Sequence, residues 1–136
     1  MTRRSLAALL PAMVTAQQRQ QPGVLQSKAY PFEELKGRQT PTIKSYQILT
    51  GDTHSGYLLD LHESELPAGM SPHPPHKHVH EEILFIREGE VEVTINGQSR
   101  RLGPGSCAFM ASNDLHGYRN SGTRPAKYFV LALGGD

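Results

Sequence analysis

The chain has 136 residues, the size of one ordinary domain, with little room for a second folded core. Hydrophobic residues make up 37% and charged residues 20%, a globular balance that excludes wholesale disorder and a bundle of membrane spans. A net charge of +1, with no basic tract beyond Arg3-Arg4 and Arg100-Arg101, argues against a surface that tracks nucleic-acid phosphates.

The first residues differ in kind from the rest. A short basic start at Thr2–Ser5 leads into the apolar stretch Leu6–Val14, interrupted by Pro11, then the compact residues Val14-Thr15-Ala16 and the polar run Gln17–Gln21. That layout predicts a cleaved signal peptide over residues 1–16, too short to remain as a membrane anchor. It implies export to the periplasm or beyond. The paired arginines with Leu6 behind them fit a twin-arginine route, and no cysteine follows to take a lipid. Cleavage would remove Arg3 and Arg4 and take the net charge from +1 to −1. Uncleaved, the same stretch reads as an amphipathic helix or a frayed tail, and the protein as cytoplasmic.

Residues 17–42 are polar and punctuated by Pro22, Gly23, Pro31 and Gly37, as in an extended arm. Phe32 and Leu35 are its expected points of attachment, either to its own domain or to a neighbouring subunit.

From Ile43 to the end the pattern is β. Ile43, Tyr46 and Ile48 form a first run, stopped by a turn expected at Gly51-Asp52. Tyr57–His62 alternates and is broken at Leu66–Gly69. Ile83–Ile86 is continuously apolar and predicts a strand buried on both faces. Glu88-Gly89-Glu90 turns the chain into alternating Val91, Val93 and Ile95. Asn96-Gly97 is the strongest hairpin signal, because both residues tolerate positive φ. Gln98–Leu102 returns, Gly103-Pro104-Gly105 turns again, Cys107–Met110 is a short apolar strand, and Tyr128–Leu133 closes the chain. Cys107 is the only cysteine, which excludes an intrachain disulfide and a thiolate zinc cluster. Its plainest role is that of a small apolar strand residue. Eight or nine short strands without a helix outside the leader leave a sandwich or a barrel.

The chemistry is concentrated between Pro72 and Gly89. His76, His78 and Glu82 are separated by two and four positions, so in an extended chain their side chains share one face. Two imidazoles and a carboxylate converging on one side make most of a first-row metal site. A second passage, Gly105–Asn120, carries His116 on a segment long enough to fold back beside the first. His73 and His80 belong to the surroundings of the site, and His54 and His62 read as ordinary surface or packing residues.

Together the two passages resemble the cupins, single-domain jelly-roll barrels built as a double-stranded β-helix. Their first motif matches at His76-Lys77-His78, Glu82 and Gly89, while six residues instead of five separate Gly69 from His76. Their second matches at Gly105, His116 and Asn120, with Ala111 in place of a proline and Asn113 in place of a glycine. Asn113 can still adopt the left-handed backbone that a turn glycine would supply. The resemblance covers about residues 43–133 and places the cupin barrel at 43–136.

It implies that His76, His78, Glu82 and His116 hold one divalent transition metal ion (iron, manganese, zinc, nickel or copper), with one or two positions open to water, dioxygen or substrate. It further implies an oxidoreductase of dioxygenase type acting on a small organic substrate, with Glu82 a candidate base. The alternative is a non-catalytic module that binds a small ligand. Phe85, Phe109, Met110 and Tyr118 are the expected inward-facing walls of the pocket, and a homodimer formed through sheet edges or by exchange of the arm is the expected assembly.

Overall fold

The computed structural model describes residues 23–135; the predicted leader and the start of the arm lie outside the described residues. Nine strands carry the fold: β1 (Gly37–Gln39), β2 (Lys44–Asp52), β3 (Leu58–Leu66), β4 (Glu81–Glu88), β5 (Val91–Ile95), β6 (Gln98–Leu102), β7 (Cys107–Met110), β8 (His116–Asn120) and β9 (Ala126–Leu133). The only helical element among the described residues is a single 3-10 turn, Phe32–Glu34. Strands order as β1-β2-β3-β9-β4-β7 in one antiparallel sheet and β6-β5-β8 in another, the jelly roll expected from the sequence.

Local chemistry accounts for the turns. Asn96 and Gly97 adopt φ of 48° and 81°, and this two-residue loop joins β5 to β6 in register from Ile95↔Gln98 to Val91↔Leu102. Gly89 has φ of 77° and lies against β9, where an added Cβ would stand 2.8 Å from Ala126 Cα. Here glycine is required twice, for its backbone and for its missing side chain. The turn expected at Gly51-Asp52 falls later. β2 continues through Asp52, which pairs with Leu58, and the reversal is made by Thr53–Gly56, whose Gly56 N–H donates to Thr53 C=O at 3.0 Å. The pairing partner across the hairpin, invisible in the local sequence, outweighs the Gly-Asp turn signal.

The core lies between the sheets and contains Leu66, Leu84, Ile86, Val91, Val93, Met110, Tyr118, Ala126, Tyr128 and Val130. β4 therefore alternates, with Leu84 and Ile86 inward and Phe85 outward and 44% exposed. The expectation that it is buried on both faces fails because nothing among the described residues packs over the outer face of β4. Cys107 is likewise exposed on β7, one residue before inward-facing Ala108.

Asn120 acts as a buried clip. Its amide donates to Leu66 C=O at 2.9 Å and to Arg124 C=O at 2.7 Å, and its Oδ1 accepts from Gly122 N–H at 2.9 Å. All of these side-chain bonds are made in a position with no solvent exposure, tying β8 to the end of β3 and to the turn before β9. The arm packs on its own barrel: β1 pairs with β2 from Gly37↔Tyr46 to Gln39↔Lys44, and the Phe32 ring lies 4.9 Å from that of Tyr46.

Candidate metal centre

The four predicted residues come from three segments. His76 and His78 precede β4, Glu82 is its second residue and His116 opens β8. Two backbone bonds lock the segments together, His76 N–H to His116 C=O and His116 N–H to His76 C=O, each 2.9 Å. Asn113, at φ of 63°, donates its N–H to His78 C=O at 2.8 Å. The left-handed residue in the glycine position thus builds the loop that presents His116. Gly117 lets this loop close down, since a Cβ there would stand 3.2 Å from Pro75.

The result is a compact donor set. The ligating atoms offered by His76, His78, Glu82 and His116 all lie within 4.8 Å of one another. His78 Nε2 is 3.2 Å from Glu82 Oε1, and His116 Nε2 is 3.6 Å from Glu82 Oε2. Tautomers are set from behind: His78 Nδ1 lies 2.8 Å from His80 C=O, and His116 Nδ1 lies 2.9 Å from Asp114 C=O. A carbonyl can only accept, so each Nδ1 carries the proton and each Nε2 presents a lone pair. Both Nε2 atoms are buried and have no hydrogen-bond partner among the described residues. Two lone pairs facing a carboxylate in a buried site are costly unless a cation lies between them. The donor set therefore fits a metal ion.

Ionisation states agree with that fit. Burial pushes the Glu82 carboxyl up, but the Tyr118 hydroxyl and the His78 and His116 imidazoles outweigh it and hold the group below its ordinary value. Burial lowers His76, and the neighbouring imidazoles lower it further. Burial raises Tyr118 well above its usual range, as does the Glu82 charge. Its hydroxyl remains protonated and donates a short 2.5 Å bond to Glu82 Oε2. Glu82 and His76 are thus biased toward the form that binds a cation.

The flanking histidines surround the centre. His80 stacks on His78 at 3.6 Å with the rings nearly parallel, and its Nε2 lies 3.4 Å from Glu82 Oε1. His73 stacks on His76 at 4.1 Å. A cavity of about 490 Å³ opens beside the centre and is bounded there by Glu82, His73 and Tyr118. Of the four expected wall residues, Met110 and Tyr118 face inward, whereas Phe85 and Phe109 are 44% and 54% exposed on the outer face. The reason is strand parity: Phe85 pairs with Cys107 and Ile83 with Phe109, one step out of phase with the inward pair Glu82 and Met110. Sequence reasoning passed over the opposite wall, where Ser64 and Tyr128 pair across strands and His62 sits in the neighbouring row. Polar residues at inward parity on β3 were the signal.

Comparison with known proteins follows the same lines. The family profile of the cupin domain matches residues 62–132, just over half the chain. Over 70 residues the chain is 43% identical to the dimethylsulfoniopropionate lyase DddQ of Ruegeria pomeroyi, a match spanning 51% of this chain and 34% of that protein. Over 44 residues it is 39% identical to the pectin degradation protein KdgF of Dickeya dadantii, spanning 32% of this chain and 40% of the relative. The chain thus matches less than half the length of either relative. Among solved structures, KdgF from Halomonas sp. superposes with a TM-score of 0.68 at 20% identity, covering 82% of this chain and 97% of the other. At that identity the likeness concerns the fold.

Proposed function

The chain belongs to the cupin family, and from that premise we propose that it is a metal-dependent enzyme acting on a small organic substrate. One observation carries the proposal: two buried, partnerless Nε2 lone pairs converge on an ionised Glu82 at the edge of a cavity of about 490 Å³. His76, His78, Glu82 and His116 would hold the ion, and three imidazoles with one carboxylate suit iron, manganese, zinc, nickel or copper. Such an ion, when bound, supplies Lewis-acid polarisation of a substrate oxygen. The protein's own groups orient and exclude: Tyr118 fixes Glu82 Oε2, while buried Tyr128 and Val130 line the cavity and keep that wall from water. The same bond works against Glu82 as a base, because proton uptake there would disturb either ligation or the Tyr118 contact.

On reaction type, the sequence reading favours a dioxygenase-like oxidoreductase. The similarity to a protein named as a lyase favours a second reading, cleavage without oxygen. Both are tested by incubating metal-loaded protein with diketones, phenols and small acids under air and under argon. We expect at least one compound to be converted, and conversion to vanish in His116→Ala; dependence on air identifies the dioxygenase type. Saturable binding by fully loaded protein, with no conversion in either atmosphere, would make it a binding module instead.

We also propose a homodimer formed through the outer face of the larger sheet. Phe85 and Phe109 lie there with Ile83, Phe129, Leu131 and Leu133 in adjoining registers. Two half-exposed aromatics put roughly 200 Å² of apolar surface on that face, and the aliphatics extend it toward the ~800 Å² per partner of a standard interface. A second copy suits this patch because an isologous pair covers it on both subunits at once.

A further inference from the structure

The cavity beside the metal centre has a second end, built by the arm. Lys36 and Arg38 line it, and they come from the segment preceding and forming β1, outside the stretch that matches the cupin domain. Arg38 stands in a cross-strand row with Ser45, Ser64 and Tyr128, so one line of inward positions runs from the arm to the cavity floor. Lys36 and Arg38 are both exposed, and neither forms an ion pair with any described residue. Among the described residues lining the cavity, Glu82 at the metal end is the only carboxylate.

A second, independent observation points the same way. The Tyr128 hydroxyl faces this cavity from a residue 1% exposed; the Ser64 side chain is its near neighbour, and no bond of ordinary geometry holds it among the described residues. A buried hydroxyl whose bonding is poorly met is costly, and an incoming acceptor lowers that cost. Two exposed cations, the Tyr128 hydroxyl and the Ser45 and Ser64 hydroxyls form a set rich in donors, with Ile43 and Val130 as apolar lining between them. Neutral substrates would leave the cations unused.

We infer that this end of the cavity is a carboxylate-anchoring subsite and that the substrate is a small organic acid. Arg38 and Lys36 hold its carboxylate, and its carbon body reaches from there to the metal centre. The inference rests on the metal-centred reading above and narrows its substrate class. Arg38 is a binding residue in this scheme: it fixes one end of the molecule so that the other is presented to Glu82 and the histidines. The arm then has a function beyond covering the barrel, since removing it would remove the anchor.

The test compares glutarate, phenylacetate and gluconate with their amides, by calorimetry on the full chain loaded with zinc. We expect at least one acid to bind about tenfold more tightly than its amide, as charge-assisted bonds require. In the double variant Lys36→Gln/Arg38→Gln that preference should shrink to about twofold while zinc content and thermal midpoint stay unchanged; Arg38→Lys should retain part of it. An acid preference that is absent in the wild type, or intact in the double variant, overturns the inference. Zinc content is measured on the same samples. A chain that takes up no zinc overturns the metal reading, whereas a loaded chain indifferent to charge overturns only the anchoring subsite.

Discussion

At the scale of single residues, the centre depends on groups that do not ligate. Tyr118 makes a short bond to Glu82, and the carbonyls of His80 and Asp114 fix two imidazole tautomers. Partners of this kind orient ligands, and their loss costs roughly 10- to 100-fold in metal affinity. Tyr118→Phe should therefore bind zinc about tenfold more weakly in chelator competition, with its fold retained because the ring stays in place. Unchanged affinity would reduce Tyr118 to a core residue. The ligand residues themselves were legible in the sequence, because a spacing of two and four puts His76, His78 and Glu82 on one side of an extended chain. Tyr118 was legible only as a wall. Its bond to Glu82 spans 36 positions, and no local pattern announces a contact of that range.

At the scale of elements, the glycines of the turns separate two kinds of requirement. Gly89 and Gly97 both have positive φ, 77° and 81°, but an added Cβ at Gly89 would meet Ala126 at 2.8 Å while at Gly97 it would meet open space. Alanine at Gly97 should cost about 1 kcal/mol, the price of the backbone conformation alone. Alanine at Gly89 should cost at least about 2 kcal/mol more, because β9 must shift as well. Urea denaturation of the two variants checks the ordering, and equal costs would mean that the packing against β9 is unimportant. The Asn96-Gly97 hairpin and the left-handed Asn113 were readable from residue type. The extent of β2 and the one-sided burial of β4 were not: the first depends on a partner strand across the hairpin, the second on what packs over an outer face. An unbroken run such as Ile83–Ile86 looks the same whether one face or two are covered.

At the scale of the whole molecule, strand count left a sandwich or a barrel and the resemblance to the cupins implied the jelly roll and the meeting of two distant motifs, whereas the cavity was not legible. Its wall draws on the arm, β2, β3 and β9, and the sequence showed these only as separate strands. The outer aromatic face likewise emerges only when β4, β7 and β9 are set side by side. If that face joins two copies, Phe85→Glu/Phe109→Glu should sediment as a monomer where the wild type sediments as a dimer. A monomeric wild type would contradict the assembly and leave the metal centre untouched. The metal centre itself is tested by stoichiometric metal analysis after reconstitution of the apo protein. One transition metal ion per chain is expected, lost in His76→Ala and His116→Ala but retained in His62→Ala. A wild type that takes up no ion, or ligand-histidine variants that keep it, would rule the metal centre out.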